Sequence, residues 1–115
     1  MNVNPLLMEA GTVLGVPTFP NLYIGKDKDR PDSYITFYYT DERPAVYADD
    51  SDRQDRTEIA LHWFCKDNPQ PKKKLLRKFL RSKGFTVLST TERFEQDTGY
   101  SHIVVDAYIY GEIED

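Results

Sequence analysis

Hydrophobic and polar residues alternate most regularly in residues 57–65, which read TEIALHWFC. Successive side chains of a β-strand point to opposite faces, so every second residue belongs to one set. One set is Thr57, Ile59, Leu61, Trp63 and Cys65, and the other is Glu58, Ala60, His62 and Phe64. The pattern predicts a strand with one covered face and one partly solvated face.

Two other segments have helical spacing. Residues 5–14 follow Asn4, a predicted N-cap, and begin with proline, which the first helical position tolerates. Gly15 and Pro17 end this helix. Residues 71–83 form a second predicted helix with an apolar stripe, and Gly84 is its predicted stop. The stripe consists of Leu75, Leu76, Phe79 and Leu80, and the opposite face carries Lys73, Lys74, Arg77, Lys78 and Arg81.

The remaining strand signals complete an α+β pattern. The sequence predicts strands at residues 34–40, 85–89 and 101–110, and a short strand at residues 45–48. It also predicts an extended or edge segment at residues 17–25 and a hairpin turn at residues 96–99. We predict one α+β domain over residues 1–115, an antiparallel sheet of about four to five strands with both helices on one face. The element order is α-β-β-β-α-β-β, and the predicted core contains Leu7, Leu14, Ile35, Phe37, Ile59, Leu61, Trp63, Leu76, Phe79, Leu80, Val87, Val105 and Ile109. The other sheet face is rich in Tyr, His, Thr and Phe, and we expect it to meet a partner.

The composition bears on the cellular compartment and the partners that we expect for this fold. The chain of 115 residues has one cysteine, so it has no intrachain disulfide, and we expect a reducing, intracellular compartment. No signal peptide or membrane span is predicted. Charge is sorted along the chain, because residues 66–83 hold eight bases and one acid while residues 41–58 hold seven acids and three bases. This separation of acidic and basic segments says more about possible partners than the net charge does.

The acidic stretch at residues 40–58 does not predict a metal loop. A calcium loop starting at Asp50 needs Gly at its sixth position and Glu at its twelfth, where Asp55 and Leu61 stand. His62 and Cys65 are three apart on a strand and face opposite sides, so they do not converge on one ion even with His102 nearby. We predict no catalytic residue, no metal and no cofactor. The stretch is interpreted as a solvated connector or a protein contact.

The basic helix leaves three interpretations open: a solvated face, a phosphate-binding surface, or a contact with the acidic stretch of a neighbouring copy. The third interpretation gives a set of predicted interface residues. They are Asp49, Asp50, Asp52, Lys73, Lys74, Arg77 and Lys78.

The chain resembles a known group of proteins over nearly all of its length. The similarity lies in the segments NPLLMEAGTVLG, YITFYYTDERPAVYADD, EIALHWFCKDNPQPKKKLLRKFLRSKGF and YSHIVVDAYIYGEIED. These segments are similar to small tail proteins of long-tailed bacteriophages and prophages, in the tail-completion or tail-terminator group. The resemblance implies an α+β structural subunit without enzymatic activity or cofactor.

The same resemblance implies partners and a location. Such subunits form rings, often hexamers, at the head-proximal end of the tail. We therefore expect self-association, contacts with tail-tube and head-connector proteins, and a place in the virion tail or head–tail junction after assembly in the host cytoplasm. No membrane and no specific nucleic acid are expected as partners.

Two alternatives come from other functional classes. One is a small nucleic-acid-binding module that uses the basic helix at residues 72–83, and it predicts salt-sensitive retention on DNA. The other is a metal-dependent hydrolase that uses Asp49, Asp50 and His62, and it predicts stabilisation by divalent ions.

Overall fold

The computed structural model describes residues 2–23, 25–45 and 54–112. Within these ranges a five-stranded sheet is combined with helices in the predicted order. The elements are α1 (Asn4–Met8), α2 (Ala10–Val13), β1 (Thr18–Pro20), β2 (Ser33–Ala45), β3 (Gln54–Cys65), α3 (Gln70–Ser82), β4 (Thr86–Phe94) and β5 (Ser101–Glu112). The predicted α+β class is confirmed. Strands β2 to β5 are longer than predicted, and β1 is shorter than the extended segment predicted at residues 17–25. Residues 46–48 of the predicted short strand lie outside the described residues.

The sheet is mixed, with the strand order β1-β2-β3-β5-β4. Strands β2, β3, β5 and β4 pair antiparallel in that order, but β1 pairs parallel with β2, from Thr18 beside Ile35 to Pro20 beside Phe37. The prediction of a wholly antiparallel sheet is therefore wrong at this edge. The segment between the two strands, described at residues 21–23 and 25–32, returns the chain along the sheet before β2 begins, and such a return makes the two strands parallel.

One face of the sheet and both helical regions share a single buried cluster. Leu7 of α1 and Leu76 of α3 pack in it with Leu61 of β3, and all three side chains have no exposed surface. The helices therefore lie on the same face, as predicted. Ten predicted core residues are buried, and Leu14, Val87 and Ile109 are partly buried and pack against the cluster.

The first helix differs from its prediction. It is interrupted at Glu9, and the second segment contains Gly11, a residue with low helix propensity. Asn4 is the first helical residue rather than the cap, and its backbone N–H donates to Oδ1 of Asn2 at 3.0 Å. The Tyr39 hydroxyl accepts from the N–H of Val3 at 2.8 Å and donates to Oδ1 of Asn4 at 2.9 Å. The helix start is thus held by Tyr39 of the sheet together with Asn2, and not by Asn4 as a cap.

Helix α3 and the turn at residues 96–99 agree closely with their predictions. Helix α3 ends before Gly84, which adopts φ +93°, and the N–H of Phe85 donates to the carbonyl of Leu80 at 3.0 Å. Gly99 adopts φ +80° in the turn between β4 and β5. Across the described ranges, no helix has the length and apolar character needed to cross a membrane.

Substitution of Leu61 tests the position of the core. Leu61→Ala removes buried methyl groups from the centre of the cluster and is expected to lower the free energy of unfolding by about 2–5 kcal/mol. Leu88→Ala is the control, because Leu88 is 47% exposed. Urea denaturation measures both variants, and equal losses would contradict this placement of the core.

Candidate functional site

The sheet face that points away from the helices, called here the open face, carries the predicted aromatic and histidine side chains. It includes Tyr38, His62, Phe64 and His102, together with Tyr108 and Tyr110 on β5. The face is not wholly bare. The chain that follows β1 folds over one part of it, so that Tyr34 is only 3% exposed. The expected partner surface is therefore smaller than the sheet itself.

A groove of about 450 Å³ lies between this covering chain and the open face. Its volume falls in the range of small-ligand sites, roughly 300–1,000 Å³. Arg30 is the one side chain in its lining that is charged whatever the pH. The floor is Tyr34, Thr36, Tyr38, His62, Phe64 and His102, and the wall is Asn21, Leu22, Tyr23 and Arg30.

Ring contacts connect the groove floor across three strands. The Tyr34 ring stacks on Phe64 with centroids 4.8 Å apart, and Phe64 stacks on His102 at 4.1 Å. His62 lies 5.0 Å from Tyr38 and 4.8 Å from His102. Arg30 extends over the Tyr23 ring, with 5.2 Å between its guanidinium carbon and the ring centroid. Each aromatic pair adds about 0.5–1.5 kcal/mol beyond the burial of its surface.

The two histidines touch directly. Nδ1 of His62 lies 2.6 Å from Nε2 of His102, and Nδ1 of His102 lies 3.6 Å from Oε1 of Glu95. The pKa of His62 is lowered to about 4, mainly by burial and also by the neighbouring His102, while Asp106 acts in the opposite direction. Burial also lowers the pKa of His102, although the Glu95 carboxylate opposes this. Both rings are therefore neutral at pH 7.

Cys65 lies away from this pair. It is fully buried on the helix-facing side of β3, so the prediction that His62 and Cys65 face opposite sides is confirmed. Burial raises the pKa of the Cys65 thiol, which disfavours the thiolate form. Among the residues that the structure describes, no three His, Cys, Asp or Glu side chains are arranged to hold a metal ion.

The structure divides the basic residues of α3 into two groups. Lys73 contacts the Glu92 carboxylate on β4, and Arg77 donates to the Thr90 hydroxyl at 3.5 Å. At the start of the helix, Lys72 contacts Asp67 at 2.9 Å and lowers the pKa of that carboxyl through the hydrogen bond. These bases hold the helix to its own chain.

The second group points outward. Lys74 and Lys78 are exposed, as is Arg81, and none of the three side chains has a hydrogen-bond or ion-pair partner within residues 2–23, 25–45 and 54–112. Their spacing of four and then three residues places them along one stripe of the helix. We call Lys74, Lys78 and Arg81 the basic stripe. The predicted interface residues Asp49, Asp50 and Asp52 lie outside the described residues, so their predicted contact with this helix stays a prediction.

Comparison with known proteins found one kind of similarity, a shared fold. No family model matches the chain, and no curated protein matches it. Among solved structures, a chain of the "Virion of native gene transfer agent (GTA) particle" matches with a TM-score of 0.51 and 12% sequence identity. The match covers 88% of this chain and 84% of that one. This protein shares its fold with a virion-particle chain.

Some features of the open face had no clear sequence signal. Strand alternation already placed His62 on this face, but the contact with His102 depends on the pairing of β3 with β5. Glu95 and Arg30 come from a turn and a connecting segment, whose positions no periodic pattern predicts. The sequence signals that bore on the pair were the alternation in β3 and the presence of His102 in the final predicted strand.

A double-mutant cycle tests the division of the α3 bases. Lys73→Ala and Glu92→Ala are expected to couple by about 0.5–1 kcal/mol, because partly exposed ion pairs contribute about that much. Lys74→Ala with Glu92→Ala is the matched control, and its coupling is expected near zero. Urea denaturation of the single and double variants gives both values, and equal couplings would show that the division is wrong.

Proposed function

We propose that this protein is a non-enzymatic structural subunit of a phage-like virion particle, acting in tail completion or at the head–tail junction. The observation that carries the proposal is the shared fold with a chain of a gene transfer agent virion over most of both chains. The similarity of the sequence segments to the tail-terminator group supports the more specific position. Under this proposal the subunit needs no cofactor.

The proposed mode of assembly is a closed ring, with hexamers favoured. Ring closure needs a head-to-tail contact in which two different patches of the same chain meet. The exposed basic stripe supplies one patch, since its three cations are not used within the described part of the chain. The acidic residues Asp49, Asp50 and Asp52 supply the proposed other patch. Complementary charge of this kind guides association and fixes register more than it adds affinity.

The division of α3 refines the predicted interface. Lys73 and Arg77 already contact β4, so their loss would also disturb the fold. Lys74 and Lys78 remain as interface candidates whose substitution leaves the internal contacts intact, and Arg81 joins them through its position on the stripe. We therefore place the electrostatic part of the subunit contact on Lys74, Lys78 and Arg81.

Native mass spectrometry at increasing protein concentration tests ring formation. The expected result is a closed oligomer, above all a hexamer, whose dissociation increases with salt because exposed charge pairs are screened. A monomer at every concentration and salt would contradict a ring that forms before the tail tube is present.

Charge reversal tests the proposed contact. Lys74→Glu with Lys78→Glu is expected to weaken assembly by at least about tenfold, a change of roughly 1.4 kcal/mol, while the circular dichroism spectrum stays unchanged. Lys26→Glu with Lys28→Glu is the matched control, because both lysines are exposed and the change in net charge is the same. Adding Asp49→Lys and Asp50→Lys to the first variant should restore assembly. Failure of this restoration, or equal loss in the control, would show that the two patches do not meet.

The basic stripe also keeps a nucleic-acid-binding module as the second candidate function. Three cations on one helix face, which have no partner within the described residues, could contact phosphates, and such binding falls steeply with salt. Retention on a DNA column separates the two functions. Salt-sensitive retention that disappears in the Lys74→Glu, Lys78→Glu variant, without any oligomer of the unmodified protein, would favour the second candidate.

A further inference from the structure

The contact between His62 and His102 connects three separate parts of the open face. His62 lies on β3 and His102 on β5, while Glu95 precedes the turn that joins β4 to β5. This turn is held by the N–H of Glu95, which donates to the Tyr100 carbonyl at 2.8 Å. The Tyr100 hydroxyl in turn donates to the carbonyl of Pro31 at 2.7 Å, so the chain that covers the groove is attached to the same cluster.

The short distance between the rings determines where their protons lie. A separation of 2.6 Å between two ring nitrogens requires one proton and one lone pair between them. The Glu95 carboxylate favours a proton on Nδ1 of His102, which leaves Nε2 of His102 as the acceptor. His62 must therefore donate from Nδ1, and its Nε2 carries the remaining lone pair.

An added proton has only one position that preserves both contacts, and that position is unfavourable. It is Nε2 of His62, which is buried and has no hydrogen-bond partner among the described residues. A buried donor without an acceptor is unfavourable by about 1–3 kcal/mol, and more when the group is charged. A further proton would remove the lone pair between the rings and place two cations in contact. Protonation therefore weakens the pair at the first proton and separates the rings at the second.

Charged groups around the pair come from every neighbouring element. Asp106 on β5 favours the protonated form of His62, and Glu95 favours that of His102, while Arg93 on β4 opposes protonation of His102. Tyr38 on β2 borders His62 through its ring, and Arg30 from the covering chain lines the same groove. Burial outweighs the two carboxylates, because the pKa values of both rings are lowered.

We propose that the His62–His102 pair is an acid-released latch on the open face. Protonation separates the rings, loosens the turn between β4 and β5, and opens the groove under residues 21–23 and 25–32. At neutral pH the latch is closed. This inference does not depend on the proposed virion function.

The direction of the pH effect follows from the protonation of His62. Its pKa lies near 4 in the folded protein and at about 6.5 in the unfolded chain, so the unfolded chain binds more protons between these values. The stabilisation is fully present above about pH 6.5 and is lost as the pH falls toward 4. The proposal predicts that this loss is accompanied by local opening.

Nuclear magnetic resonance of the full chain between pH 7.5 and pH 4 tests the latch. The two histidines are expected to titrate together and below the ordinary histidine pKa, and amide hydrogen exchange of Glu95 and Gly99 should lose about tenfold in protection as the pH falls, after correction for intrinsic rates. These two amides make the backbone hydrogen bonds of the turn. Unchanged protection, or histidines that titrate independently near pH 6.5, would overturn the proposal.

Two variants separate the latch from general acid sensitivity. In His62→Gln the side-chain amide can still donate to His102 but cannot take up a proton, so the turn should keep its protection down to pH 4.5. Tyr38→Phe is the matched control on the same face, and it should show the acid response of the unmodified protein. If His62→Gln opened with acid as the unmodified protein does, the histidine pair would not be the latch. The titration of the unmodified protein decides the matter even if this variant does not fold.

Discussion

The pairing register of β3 is the constraint on which the rest of the structure depends. This strand is hydrogen-bonded to β2 on one side and to β5 on the other along its whole length, from Gln54 to Cys65. Its alternate residues from Thr57 to Cys65 are buried under the helices. A shift by one residue would exchange the two faces, placing His62 and Phe64 in the core and exposing Leu61 and Trp63. The apolar cluster therefore fixes the composition of both faces at once.

The two faces of the sheet serve different physical roles. On the helix side, burial of apolar surface provides most of the stabilisation, and the contacts of Lys73 and Arg77 with β4 orient α3 on the sheet. On the open face, aromatic rings and two neutral histidines pack together, and Arg30 is the one permanently charged side chain in the groove lining. Assembly through the outward stripe of α3 would leave the open face free, since helix and groove lie on opposite sides of the sheet. The proposed subunit contact and the proposed latch can thus act independently.

The separation of acidic and basic residues along the chain does not by itself identify an interface. The cluster of bases in residues 66–83 is prominent in the sequence, yet several of these bases bind carboxylates or hydroxyls of their own chain. Exposed pairs of this kind contribute little stability, and their effect is mainly to orient side chains. The cations left over on α3, rather than the total charge, are what a partner would meet.

The sequence by itself determined the α+β class, the long helix with its glycine stop, and the face to which each residue of β3 belongs. These features depend on periodicities of two and 3.6 residues, which are local properties of the chain. Tertiary structure alone decided the parallel pairing of β1 and the contact of His62 with His102. Each of these depends on which distant segments become neighbours. A strand of three residues and a contact between residues 40 positions apart leave no periodic trace in the sequence.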